Sequence, residues 1–255
     1  MVTISVMNQK GGVGKSTSTR NIATFFAMQG YKTLMIDIDA QANLSQISNM
    51  PDNVENTVLN VFRSIMPGIY NVSENLFIVP SSLKFAAVEN EIKNHENPDM
   101  FIFNFVSSIA AEYDICFIDC PPAVNVITAN ALTASQWIII PMEASKLAFN
   151  GLEMMLGVIA MVREELNPDL SILGAFFNKF KEKTVVARDV LAQMKEKGID
   201  IALFNSRIRQ FEDFKKAEMI NQSIFEFAPS SLAAADYRNL GHEIIAKLKE
   251  NQSIK

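Results

Sequence analysis

Residues 1–20 read MVTISVMNQKGGVGKSTSTR, and this stretch decides the fold. Val2 to Met7 is an apolar, β-branched run of strand length. Gly11, Gly12 and Gly14 then punctuate a tight loop, and beyond Lys15 the residues Ile22, Phe25 and Phe26 fall at helical core spacing. Strand, glycine loop and helix are the context of a phosphate-binding loop. Glycines let backbone N–H groups turn inward and approach phosphate oxygens. A helix start adds unpaired N–H donors and the positive end of a dipole. Lys15 supplies a point charge for the β- and γ-phosphates, and the Ser16 hydroxyl is a natural Mg²⁺ ligand. The expected loop contacts run through Gly11, Gly12, Val13, Gly14, Lys15, Ser16 and Thr17.

The general pattern G-x-x-x-x-G-K-[ST] wants glycine at position 9, where this chain has Gln9, and a second lysine, Lys10, stands at the front of the loop. In this deviant form, K-G-G-V-G-K-S-T, the sequence resembles the ParA/MinD family of P-loop ATPases. The resemblance implies ATP as the nucleotide and a dimer with ATP at its interface. It implies that Lys10 reaches across that interface to the partner's nucleotide.

The segment Lys32 to Ile38 reads as the second strand and runs into Asp37-Ile38-Asp39-Ala40-Gln41-Ala42-Asn43. Carboxylates at the C-terminal end of a strand lie at the ligand edge of a parallel sheet. D-x-D-x-Q-x-N is also a signature of the family, by which Asp39 orients the attacking water and Asp37 supports the Mg²⁺ side. Tyr113 to Asp119 is a strand ending in a Walker B carboxylate, Asp119, which can hold Mg²⁺ through water. Cys120-Pro121-Pro122 follows it, and prolines continue neither ladder nor helix. Leu76–Pro80, Gln136–Pro141, Leu170–Phe177 and Ile201–Phe204 read as further strands. Helices are expected over Ala123–Ala134, Lys146–Glu165, Thr184–Lys197 and 228–250, with residues 44–70 helical and irregular. Asn178, at the end of a strand, is by resemblance the residue that recognises adenine. The alternation of strand and helix predicts an α/β, P-loop NTPase-type fold, a mostly parallel twisted sheet with helices on both faces, in one domain over 1–255.

The chain has 255 residues, 49% of them hydrophobic and 20% charged, as in ordinary globular proteins. No apolar run approaches a membrane span, and the N-terminal run leads straight into the loop rather than to a cleavage site. A cytoplasmic location is therefore expected. Cys116 and Cys120 make no C-x-x-C pair and are expected as buried free thiols. The net charge of −5 excludes a uniformly basic nucleic-acid binder, yet residues 178–220 carry ten Lys+Arg against seven Asp+Glu. Arg207, Arg209, Lys215 and Lys216 are the candidate phosphate contacts there.

The expected function is a switch for plasmid or chromosome partitioning. Its ATP state would bind DNA without sequence preference on the nucleoid, and a ParB-like partner would stimulate hydrolysis. Two alternatives stand beside it: a MinD-like membrane-positioning ATPase and an ATPase that positions a protein cargo on the nucleoid. The first needs a lipid-inserting tail, and Asn251-Gln252-Ser253-Ile254-Lys255 is short and polar.

Overall fold

The computed structural model describes residues 1–143, 148–181, 199 and 201–254. The expected helix over Thr184–Lys197 lies outside them, as do residues 146 and 147 at the head of the expected Lys146–Glu165 helix. Strands β1 (Val2–Val6), β2 (Thr33–Asp37), β3 (Tyr70–Ser73), β4 (Leu76–Val79), β5 (Ile115–Asp119), β6 (Trp137–Glu143) and β7 (Ser171–Asn178) form one sheet in the order β3-β4-β2-β5-β1-β6-β7. All neighbouring pairs are parallel except β3 with β4.

Side chains alternate across a strand, so each strand feeds two cores. Leu34 and Ile36 of β2, Cys116 and Ile118 of β5, and Ile138 and Ile140 of β6 face one side. There they meet helices α3 (Val58–Val61), α4 (Val88–Ile92), α5 (Phe101–Ser108), α6 (Val126–Ala134) and α7 (Ala148–Glu165). Ile4, Val6, Met35, Ile115, Phe117 and Ile139 face the other side. There they meet α1 (Lys15–Met28), α2 (Asn43–Ile47) and α10 (Leu232–Glu250), beside the short helices α8 (Glu212–Met219) and α9 (Ile224–Phe227). This confirms the doubly covered, mostly parallel sheet. Cys116 and Cys120 are buried free thiols.

Three details differ from the expectation. Tyr70–Ser73, inside or beside the stretch read as irregular, is an antiparallel edge strand turned onto β4 through Asn75, which adopts φ 57°. Ile201–Phe204 makes only an isolated bridge, Leu203 beside Ala175. The Glu243 carboxylate accepts hydrogen bonds from Asn205 N (2.8 Å) and Ser206 N (3.2 Å), and the chain bonds to β7 again where Ile208 N donates to Phe177 O at 2.9 Å. Strand β6 runs on to Glu143, beyond the expected end at Pro141, and Trp137 at its start is half-buried, with its Nε1 donating to Ser253 Oγ at 3.1 Å.

Helix α1 is stopped at Gly30, which adopts φ 90° and donates its N–H to Ala27 O at 2.9 Å. Its close packing against α10 requires Gly241, where a Cβ would lie 2.1 Å from Phe25 Cδ1. Phe25 is almost fully buried and also meets the His242 ring edge to face at 4.9 Å. Gly241→Ala should therefore cost about 1–3 kcal/mol through overpacking, read as a lower denaturation midpoint with an unchanged slope.

Candidate nucleotide site

Five chain segments meet at the C-terminal edge of the parallel strands, where open α/β sheets bind ligands. The loop after β1 lies between its neighbours β5 and β6. Gly12 and Gly14 adopt φ 73° and 86°, a region open to glycine and strained for other residues. At Gly14 space is decisive as well, because an added Cβ would lie 2.4 Å from Asn178 Nδ2. Helix α1 begins with no side-chain cap and no acidic residue in its first turn. Its first N–H groups and positive dipole end therefore face the loop uncompensated, which suits an anion.

Lys15 is only 8% exposed, and its Nζ lies 3.5 Å from Lys10 O. Burial lowers its pKa, while Asp119, Cys120 and Asp39 pull it back up. Asp37 and Asp119 are register partners on adjacent strands, and both are buried. Burial pushes Asp37 up to about 6, although the Ser45 N–H and hydroxyl both donate to its Oδ2, at 2.9 and 2.7 Å. Burial first, and then the neighbouring Asp37, raise Asp119 well above the usual carboxylate range, against the pull of Ser16 and Lys15. Asp119 Oδ1 accepts from Thr19 Oγ1 at 3.4 Å, whereas buried Oδ2 has no protein partner.

A divalent cation fits these residues. It would supply the missing partner of Oδ2 and let both acids ionise. Among the described residues no three His, Cys, Asp or Glu side chains converge to form a metal cage. The donor set is that of Mg²⁺, which takes one or two carboxylates, a hydroxyl such as that of Ser16, and phosphate oxygens. Asp39 sits half-exposed at the mouth, with its N–H donating to Asp37 Oδ1 at 3.1 Å and its own Oδ1 accepting from Gln41 N at 2.9 Å.

Asn178 is brought to the loop rather than to an open pocket. Its Nδ2 donates to Val13 O at 2.7 Å, and its Oδ1 accepts from Lys179 N at 2.9 Å. A base contact at Asn178 must compete with these bonds. Next to it lies a cleft of about 410 Å³ lined by Phe180, Lys181, Arg209, Gln210, Phe211 and Glu212. Lys10 stands at the front of the loop with its Nζ 2.5 Å from Glu143 Oε2. Glu143 Oε1 also lies 3.5 Å from Lys179 Nζ, which in turn donates to Gly12 O.

The four basic candidates differ in their surroundings. Arg207 is exposed, with its guanidinium 4.7 Å from the Phe180 ring centre. Lys215 and Lys216 are exposed on α8, and Lys215 pairs with Glu212 at 3.1 Å. Arg209 forms a fork on Asp236, with its Nε 3.0 Å from Oδ2 and its NH2 2.7 Å from Oδ1.

Sequence reasoning missed Glu143, Lys179 and Ser45. The first had a usable signal, a carboxylate at the C-terminal end of a parallel strand, the rule that picked out Asp37 and Asp119. Ser45 and Lys179 carry no such mark and become visible only through their partners.

The raised acids make stability pH-dependent. A carboxyl whose folded pKa exceeds its unfolded value, about 3.8 for Asp37, contributes stability below that value and loses it as pH rises through about 6. Without magnesium or nucleotide, the protein should therefore lose thermal stability between about pH 4 and pH 7. Asp37→Asn, which keeps an acceptor for Ser45, should flatten that fall in melting scans.

Comparison with known proteins agrees with this geometry. A family model described as an AAA domain matches residues 1–172. The chain is 32% identical to a chromosome partitioning protein ParA of Myxococcus xanthus over 197 residues, covering 75% of this chain and 70% of that one. It is 29% identical to the chromosome-partitioning ATPase Soj of Treponema pallidum over 247 residues, covering 96% and 97%. A plasmid partition protein of Borrelia burgdorferi B31, solved bound to AMPPNP, superposes with a TM-score of 0.79 at 26% identity, covering 98% and 99%. The cobyrinic acid a,c-diamide synthase of Mycobacterium smegmatis shares the fold, with a TM-score of 0.86 at 24% identity, covering 100% and 98%. On the deviant phosphate loop, the buried carboxylate pair and these relatives, the chain belongs to the ParA/Soj-type family of partition ATPases.

Proposed function

We propose that this chain works as one ATPase domain and as a partition switch. It hydrolyses ATP with Mg²⁺, pairs with a second copy around the nucleotide, and holds DNA non-specifically on the nucleoid in the ATP state. A ParB-like protein resets it. The observation that carries the chemistry is the buried Lys15 facing the Asp37–Asp119 pair, with one Asp119 oxygen left without a partner.

Within this reading, Gly11 to Gly14 and the start of α1 present N–H groups to the phosphates, and Lys15 neutralises their charge. Mg²⁺, when bound, neutralises charge on the β- and γ-phosphates. Ser16 and Asp119 hold its side of the site, supported by Asp37. Thr17 follows Ser16 in the first turn of α1 and offers its backbone N–H to the phosphates, while its hydroxyl donates to Glu218 Oε1. Asp39, at the half-exposed mouth, orients the attacking water. Asn178 and the cleft between Phe180 and Phe211 receive the base. Lys10 crosses to the second copy. Lys15→Ala should lower ATP turnover about 100-fold or more, measured by phosphate release.

For DNA, the surroundings favour Arg207, Lys215 and Lys216 over Arg209, whose guanidinium is committed to Asp236. Truncating Arg209 would leave a buried carboxylate unpaired and should cost about 1–3 kcal/mol of stability, so a binding loss there reports on folding. The membrane alternative finds no support in α10, because Leu240, Ile244 and Leu248 are buried in the core and Ile254 packs against it. Among the described residues no helix is long and apolar enough to cross a membrane.

The test is binding to random-sequence duplex DNA with ATP, with ADP and without nucleotide, across a salt series. ATP-dependent, salt-sensitive binding is expected, and Arg207→Ala with Lys216→Ala should make the log–log salt slope shallower by roughly two. Intact turnover with no DNA binding in any state would sink the partition reading and leave the ATPase standing.

A further inference from the structure

At the mouth of the loop two lysines share one carboxylate. Glu143, the last residue of β6, places Oε2 2.5 Å from Lys10 Nζ and Oε1 3.5 Å from Lys179 Nζ. The backbone braces both lysines. Lys10 N donates to Asn8 Oδ1 at 2.9 Å, and Asn8 Nδ2 donates to Pro141 O on β6 at 2.8 Å. Lys179 follows β7 in the left-handed region at φ 51° and also donates to Gly12 O. The three side chains are 35%, 25% and 47% exposed for Lys10, Glu143 and Lys179, so the cluster is half-screened and its contacts can exchange.

We propose that Glu143 is a positioning residue that stores Lys10 on its own subunit, and that Lys179 takes over the Glu143 carboxylate when Lys10 leaves for a second copy's nucleotide. The inference rests on the reading of Lys10 as a residue that acts across a dimer. A lysine bound to a carboxylate in cis is unavailable in trans, so the ion pair opposes association. Leaving it would orphan Glu143 unless another cation stood ready, and Lys179 is already within 3.5 Å. The exchange keeps every charge paired and so keeps the barrier to release low. The two neighbours of Lys10 therefore act with opposite sign: Glu143 holds it back, and Lys179 eases its departure.

The experiment measures the dimer dissociation constant by sedimentation at saturating Mg·ATPγS, with Mg·ADP as the reference state. Glu143→Gln should tighten the ATPγS dimer at least threefold, and Lys179→Met should weaken it at least threefold. Against a Lys10→Ala background the Glu143→Gln effect should vanish, because the double-mutant cycle isolates the Lys10–Glu143 term. Shifts of the same sign in the two single variants, or a Glu143→Gln effect that survives without Lys10, would overturn the inference while the ATP-dimer reading stands. A wild-type protein that stays monomeric with ATPγS would overturn both.

Discussion

The burial of Lys15 with Asp37 and Asp119 at one edge of the sheet is the constraint on which the rest of the site depends. Buried charges are costly unless paired, and here the balance is uneven, with one buried cation against two buried acids. The protein meets part of the cost by raising the pKa of both acids, and part by aiming hydroxyl and backbone donors from Ser45, Thr19 and Asp39 at them. What is left over is a site short of positive charge at Asp119 and rich in N–H donors at the loop. A magnesium-bound polyphosphate brings the matching charges, a cation for the acids and anionic oxygens for Lys15 and the loop. The arrangement is stable enough to fold and tense enough to prefer a ligand.

The loop itself is positioned from β7, two strands away along the same edge of the sheet. Asn178 and Lys179, at the end of β7, bond the carbonyls of Val13 and Gly12. The same contact explains why Gly14 tolerates no side chain, because the Asn178 amide fills the space a Cβ would need. The site is thus a five-strand construction, in which β1 delivers the loop, β6 and β7 brace it, and β2 and β5 supply the acids.

Much of this was legible in the sequence because the signals were local. The glycine loop, the strand-end aspartates and the continuous apolar runs of β2, β5 and β6 each announce themselves within a few residues. What escaped depends on partners far apart in the chain. Tyr70–Ser73 is a strand only because β4 offers an edge, and Ile201–Phe204 meets β7 in an isolated bridge before Glu243 takes the N–H groups of Asn205 and Ser206. Arg209 reads as a candidate phosphate contact until Asp236, in helix α10, is found to hold it. Glu143 and Lys179 acquire meaning from each other and from Lys10, at separations no local pattern can show.

The C-terminal helices complete the argument, because they fasten onto the same few residues of α1. Thr17 Oγ1 donates to Glu218 Oε1 at 2.5 Å, Ser18 Oγ meets Tyr237 Oη at 3.0 Å, Arg20 pairs with Glu226 at 3.2 Å, and Asn21 Oδ1 accepts from Ile224 N at 2.8 Å. Helices α8, α9 and α10 therefore each hold the first turns of the helix whose N-terminus closes the phosphate loop. Phe214 of α8 packs edge to face on Tyr237 of α10 at 5.5 Å, so the helix bearing Lys215 and Lys216 is packed on α10 and joined to α1 by the Thr17–Glu218 hydrogen bond. A displacement of α1 therefore loads the contacts it makes with α8, α9 and α10. Whatever the loop binds is in this way mechanically adjacent to the basic surface, with no intervening hinge among the described contacts.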